Sequence, residues 1–232
     1  MRLILLADLH GNLPATEAMA REIAQLGPDE IWFLGDAVGK GPTNAETCDW
    51  VRDNCTVCVG GNWDYGIGGR EYAADQYYWD QLGEERMTWL RSLPREAELT
   101  MSGTRFRLFH GRPVTPLMSV TTPREQAEAP FRTEKGDFGG VIFADSHRPF
   151  VRTLSTGYFL NTGSVGNSLG VNRAHALLLE GEKDGKTPST LRMTVISVPY
   201  DVDRAVQMAL ASPDMPNREN YITEITTGVY SR

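Results

Sequence analysis

Met1-Arg2-Leu3-Ile4-Leu5-Leu6-Ala7-Asp8-Leu9-His10-Gly11-Asn12 opens the chain and decides how the rest is read. The apolar run from Leu3 to Ala7 has the length of a strand and stops at once at Asp8 and His10. It is too short for the apolar core of a signal peptide, and a membrane span needs about 18 apolar residues. It reads as a buried β-strand. If the chain continues extended, residues two apart face the same side, and Asp8 and His10 direct a carboxylate and an imidazole at one point just past the strand end. That is a start for a metal site of mixed oxygen and nitrogen ligands.

Outward from this strand, apolar runs alternate with helical spacing. Leu13 to Leu26 predicts a helix, Ile31 to Leu34 a strand, Asn44 to Arg52 a helix and Val57 to Val59 a strand. Such a βαβαβ order implies parallel strands with ligands bound outside their carboxyl ends. Gly66 to Ser92 reads as two helices. Ala97 to Met101 and Arg105 to Phe109 form a hairpin around Ser102-Gly103. Short strands follow at Val141 to Ala144, Val151 to Leu154, Tyr158 to Leu160, Ala174 to Leu179 and Leu191 to Val198. Asp201 to Ala211 reads as a capped helix. Residues 213–232 form a polar tail whose Ile222, Ile225 and Val229 could dock on the body, and residues 1–232 read as one domain.

Composition narrows the function. The chain has 232 residues, is 41% hydrophobic and carries a formal net charge of −7. That balance excludes a broad basic nucleic-acid surface, so a small anionic substrate must be attracted locally. No run suggests a membrane partner, and three cysteines, an odd number, suit a reducing, cytoplasmic setting. Cys55 and Cys58 form one CxxC pair with no second pair, which favours a structural role. Homo-oligomerisation is left open.

Polar clusters recur at strand ends: Asp8 and His10, then Gly35-Asp36, Gly60-Gly61-Asn62-Trp63-Asp64, His110-Gly111 and Asp145-Ser146-His147. Three of the four histidines thus end strands, while His175 lies inside an apolar run and reads as structural. Asn12, Lys40 and Arg112 follow ligand positions directly, where their donors could meet non-bridging phosphate oxygens; Arg148 is a weaker candidate. Asp64 could orient Asn62 or cap a loop. Trp63 could stack on a nucleobase or serve as a rim aromatic, and the cluster of Tyr72, Tyr77, Tyr78 and Trp79 could shape a nucleoside pocket or pack between helices.

In this order the clusters resemble the calcineurin-like metallophosphoesterase family, whose pattern is Asp-x-His, Gly-Asp, Gly-Asn-His-Asp/Glu, His and Gly-His-x-His. Asn161-Thr162-Gly163-Ser164-Val165-Gly166 is similar to the Asn-Pro-Gly-Ser segment of its phosphodiesterase-like branch. Gly39-Lys40-Gly41-Pro42 and Val198-Pro199-Tyr200-Asp201 suggest the compact bacterial and archaeal branch. The resemblance implies an α/β fold, a four-layer α/β/β/α sandwich of two packed mixed sheets flanked by helices. It also implies two divalent metal ions, one on Asp8, His10 and His147, the other on Asn62 and His110, with Asp36 bridging. The implied reaction is hydrolysis of a phosphodiester or phosphoanhydride bond of a small nucleotide-like substrate by a metal-activated hydroxide. A metal-stabilised binding or scaffold protein, or a protein phosphatase of the same family, are the alternatives.

Two positions depart from the family pattern. Asp145 stands where the first histidine of Gly-His-x-His is expected; as a ligand it would add a negative charge and favour Mn²⁺, with Fe, Zn²⁺ and Mg²⁺ as alternatives. Trp63 stands where many relatives carry a histidine that protonates the leaving group. Indole has no titratable proton, so substrates with weakly basic leaving groups are favoured.

Overall fold

In the computed structural model, which describes residues 1–231, β1 (Arg2–Leu6) is buried on both faces. Alternation along the strand sends Leu3 and Leu5 into a core shared with a second sheet, and Ile4 and Leu6 into a core shared with helices. Each such leucine contributes about 1.5–3 kcal/mol. β1 pairs in parallel with β2 (Glu30–Leu34), and β2 with β3 (Val57–Val59). β11 (Ala174–Glu180) and β12 (Arg192–Val198) extend the other edge antiparallel, giving the order β12-β11-β1-β2-β3.

The second sheet joins the hairpin β4 (Glu96–Met101) and β5 (Thr104–Phe109) to β8 (Gly140–Phe143), β9 (Phe150–Leu154) and β10 (Gly157–Asn161), in the order β4-β5-β8-β10-β9. Here β5, β8 and β10 run parallel. Leu3, Leu5, Leu34, Leu177 and Leu179 meet Phe106, Leu108, Ile142 and Leu160 in the buried layer between the sheets. This is the expected four-layer α/β/β/α sandwich.

The outer layers are unequal. The first sheet is covered by α1 (Leu13–Leu26), α2 (Asn44–Asn54), α3 (Asn62–Gly68) and α4 (Gln76–Ser92), whose Met19, Val51, Ile67 and Leu90 reach its core. Of the stretch from Gly66 to Ser92, expected to hold two helices, α4 covers Gln76–Ser92 and is broken in two at Gly83, where φ is 67°, whereas α3 begins earlier, at Asn62. Among the described residues, the second sheet is covered only by α5 (Arg124–Glu128), a 3₁₀ turn at Ala129–Phe131 and the small hairpin β6 (Arg132–Thr133) and β7 (Gly136–Asp137), over an aromatic layer of Phe109, Phe131, Phe143, Phe150 and Phe159. Sequence pattern assigns nothing to this stretch because a five-residue helix between Pro123 and Pro130 shows no periodicity.

α6 (Val202–Leu210) starts at Asp201, whose carboxylate accepts a hydrogen bond from the Arg204 N–H at 2.8 Å. The tail forms α7 (Arg218–Thr227), which buries Tyr221, Glu224 and Ile225. Val229, expected to dock, is instead 61% exposed: the helix ends at Gly228, in the left-handed region, and directs the chain outward. His175 is buried between Ser168 Oγ at 2.9 Å and Ser197 Oγ at 3.1 Å, and burial holds its imidazole down at about 4, so it is neutral and structural. Among the described residues no helix is long and apolar enough to cross a membrane.

Candidate metal centre

The carboxyl ends of β1, β2, β5 and β8 open at one edge of the sandwich, and each delivers part of one buried cluster. Asp8 Oδ1 lies 3.3 Å from His147 Nε2, 3.5 Å from His10 Nε2 and 3.8 Å from His110 Nε2. Asp36 Oδ2 lies 3.2 Å from His110 Nε2 and 3.7 Å from His10 Nε2. All five side chains are essentially removed from solvent.

Asp8 and His10 meet here for a reason other than the one their spacing suggested. The segment is not extended: φ is 55° at Asp8 and 47° at His10, and the left-handed region recurs at Asp36, Lys40, Asp145 and His147. Such residues cost of order 1 kcal/mol each and cluster where a structure over-determines them. Backbone bonds do so here: Asp8 N donates to Gly35 O at 2.8 Å, His10 N to Asp36 O at 3.2 Å, and Gly166 N to Asp8 O at 2.9 Å. Ser164 Oγ also donates to Asp8 O, at 2.8 Å. The Asn161–Gly166 segment is thus a strap across the first loop.

Each imidazole is fixed in one tautomer. Nδ1 faces a backbone carbonyl in all three: Val38 O at 3.1 Å for His10, Leu34 O at 2.7 Å for His110 and Asn167 O at 2.6 Å for His147. A carbonyl only accepts, so each Nδ1 carries a proton and each ring, when neutral, keeps its lone pair at Nε2. The His10 and His147 Nε2 atoms face each other at 3.2 Å. Two lone pairs at that distance repel unless a cation lies beside them.

The unsatisfied atoms point the same way. Asp8 Oδ1, Asn62 Oδ1 and His110 Nε2 are buried without a hydrogen-bond partner. Buried polar groups are rarely left so, and these three are ligand types. Two groups have donor atoms close enough to hold an ion: Asp8 with His10 and His147, and Asp8 with Asp36 and His110. Asp8 is common to both groups, and Asp36 Oδ2, 3.2 Å from His110 Nε2 and 3.7 Å from His10 Nε2, also lies between them. Electrostatics agree that positive charge is wanted. Burial opposes a proton on His110, but Asp36 and Asp8 overcome it and raise its affinity well above the ordinary value. Burial also opposes ionisation of Asp8, yet His147 and His110 hold its carboxyl well below the usual range. His10, where burial dominates, is held down at about 4.

The remaining expected residues divide. Asp64 lies beneath the cluster, accepting from Asp36 N at 2.7 Å, Ala37 N at 2.9 Å and Gly61 N at 3.0 Å, so it ties the β2 loop to the β3 loop. Burial and the Asp36 charge push its carboxyl up to about 7 against the N–H groups of Gly61 and Asp36. Asn12 is not brought to the cleft: it caps α1 through Ala15 N at 3.2 Å and donates to Gly166 O at 2.7 Å. Lys40, read as a phosphate donor, is buried with Nζ 2.7 Å from Asn167 Oδ1 and 3.0 Å from Glu224 Oε2. Trp63 covers Gly39 and meets the His10 and Tyr78 rings edge-on, at 5.8 and 6.4 Å between centroids. A Cβ on Gly39 would lie 2.2 Å from Trp63 Cε3, which explains the glycine. Of the aromatic cluster, Tyr72 lines the cleft, Tyr78 is buried core, and Tyr77 and Trp79 pack between helices.

Asp145 lies outside both ligand groups. Its carboxylate is gripped by Arg112, with Nη2 2.6 Å from Oδ1, Nε 2.9 Å from Oδ2 and the backbone N 3.1 Å from Oδ2. The negative charge that Asp145 brings to the site is thus paired with a guanidinium. Asp145→Ala is expected to leave bound metal per chain unchanged by elemental analysis, since the carboxylate's partner is Arg112; loss of one equivalent would show that Asp145 binds metal directly.

Matching the chain to family models decides its membership: residues 1–184 match the calcineurin-like phosphoesterase superfamily domain. The chain belongs to this superfamily. It is 29% identical over 228 residues to the uncharacterized protein MJ0912 of Methanocaldococcus jannaschii, covering 87% of this chain and 89% of that one. The crystal structure of a metallophosphoesterase from Sphaerobacter thermophilus superposes with a TM-score of 0.78 at 25% identity over 99% of both chains. A 45-residue segment, 19% of this chain and 24% of the relative, is 44% identical to the phosphodiesterase YfcE of Escherichia coli. These calcineurin-like relatives, bacterial and archaeal, fit the compact branch suggested by the motifs.

Above the cluster opens a cleft of about 640 Å³. Asp36, Asn62, Asp145 and His147 form its polar side with Lys40, Arg112 and Arg148. Trp63, Ile67, Leu117, Met118, Leu169 and Tyr230 supply apolar walls. Leu117, Met118, Asn167 and Tyr230 escaped the sequence reading, since they lie in irregular segments without a motif.

Proposed function

We propose that the chain hydrolyses a phosphodiester or phosphoanhydride bond of a small nucleotide-like substrate, with two divalent ions held by Asp8, His10 and His147 and by Asp36, His110 and Asn62. The observation that carries this reading is the convergence of three Nε2 atoms, each on a ring whose Nδ1 faces a carbonyl, on Asp8 Oδ1, a buried carboxylate oxygen without a hydrogen-bond partner. The phosphodiesterase YfcE, matched over a short segment, supports the reaction class. When bound, such ions supply Lewis acidity and lower the pKa of water. A donor set of nitrogen and oxygen without thiolate suits Mn²⁺, Fe or Zn²⁺, and Mn²⁺ is the first to test.

The chain's own groups do the rest. Asp8 and Asp36 concentrate negative charge that positions the cations. Arg112, half-exposed and oriented by Asp145, presents its guanidinium to a non-bridging phosphate oxygen. Trp63 cannot donate a proton to the leaving group, so aryl esters and phosphoanhydrides react ahead of alkyl esters. The test is hydrolysis of bis-p-nitrophenyl phosphate by metal-stripped protein refilled with Mn²⁺, Zn²⁺ or Mg²⁺. Turnover that appears only on refilling supports the hydrolase. Folded, metal-loaded protein without turnover overturns it in favour of a metal-stabilised binding protein.

A further inference from the structure

Surface apolar side chains are ordinary when scattered, but large ones converging on a single concavity mark a binding site. Tyr72, Leu117 and Tyr230 are 59%, 54% and 58% exposed, come from three segments far apart in sequence, and line the same cleft beside Trp63. We propose that these four side chains form a subsite for a planar aromatic group attached to the substrate phosphate, with the C-terminal tail supplying its specificity through Tyr230. The proposal rests on the phosphoesterase reading above.

Tyr230 is not a loose end. Gly228 O accepts from Gly170 N at 2.7 Å on one side of it. On the other, Ser231 N donates to Glu224 Oε1 at 3.3 Å, Ser231 O accepts from Asn220 Nδ2 at 2.7 Å and Ser231 Oγ donates to Asn220 O at 2.9 Å. Asn172 Nδ2 also donates to Thr226 O. The tail is therefore strapped to α7 and to the Gly170 loop on both flanks of a tyrosine whose ring is more than half exposed, with the Lys40 ammonium 5.9 Å from its centroid. Holding an exposed aromatic in place removes the ordering entropy that a flexible tail would lose on binding. Arg112, on the same cleft, marks the anionic end of the ligand and the aromatic wall its uncharged end. Tyrosine and tryptophan offer flat faces with a polar edge, which match an aryl or heteroaryl ring better than an alkyl chain.

The test compares phenylphosphonate and methylphosphonate, which share a headgroup and are not hydrolysed, by calorimetric titration of Mn²⁺-loaded full-length protein. Phenylphosphonate is expected to bind about tenfold tighter, and Tyr230→Ala to remove most of that preference while changing methylphosphonate affinity less than about twofold. Tyr72→Ala is expected to act in the same direction, and neither residue belongs to the core. Equal affinity of the two phosphonates in the native protein, binding of neither, or a Tyr230→Ala variant that keeps the full preference would each overturn the subsite. A phenyl preference intact in a protein that fails to hydrolyse bis-p-nitrophenyl phosphate would instead sink the hydrolase reading alone.

Discussion

Asp36→Asn is expected to reduce bis-p-nitrophenyl phosphate turnover by about 10³-fold or more in Mn²⁺-loaded protein while leaving the melting temperature nearly unchanged. The substitution conserves shape. Asp36 Oδ1 accepts from Trp63 N at 2.9 Å, and an amide oxygen can do the same. What is lost is the negative charge at Oδ2, the atom 3.2 Å from His110 Nε2. Charge stabilisation by a bound metal supplies several kcal/mol to such a reaction, and each 1.36 kcal/mol is a factor of ten. Steady-state kinetics with metal content measured on the same sample decide it. A variant with more than a tenth of native turnover would remove Asp36 from the centre of the mechanism.

The largest effect on stability is expected at Lys40 and Glu224, 184 residues apart and both buried. Their ions meet at 3.0 Å, with Asn167 Oδ1 as a further acceptor for the ammonium. Removing one partner takes the close counter-charge from the other, buried ion, so Glu224→Ala is expected to cost about 3–5 kcal/mol. At this chain length that is a fall of roughly 10 °C in Tm. Lys40→Met with Glu224→Leu, which removes both charges and fills the space, is expected to recover most of the loss in thermal or urea unfolding. Single variants within about 0.5 kcal/mol of native stability would show that the pair does not anchor α7.

The sandwich was legible wherever hydrophobic period and length agreed. β1, α1, β3 and the β4–β5 hairpin lie within a residue of where their patterns put them, because burial alone decides such segments. The thin cover over the second sheet was not, since short turns between prolines carry no period. The strand-end polar residues were legible as a set of candidate ligands, but their partners were not. That Asp145 meets Arg112, Lys40 meets Glu224 and Asp64 takes the Asp36 and Ala37 N–H groups depends on approaches between segments 27 to 184 residues apart. No local spacing encodes those approaches. For the same reason the sequence did not show that Asn12 turns into the body, to Ala15 N and Gly166 O, or that Lys40, on the cleft wall, is also held by Asn167 and Glu224.

The left-handed loop residues have a consequence for how such a site can change. Asp8, His10, Asp36, Lys40, Asp145 and His147 all sit where glycine would be at ease and a side chain is not. Together they hold several kcal/mol of backbone strain, a sizeable share of the 5–15 kcal/mol that ordinarily separates a folded domain from its unfolded chain. At His147 or Asp145, glycine would relax the loop and delete the functional group in one step. Drift toward stability and drift toward inactivity therefore run downhill in the same direction, and a chain that keeps these residues does so against the preference of its own backbone.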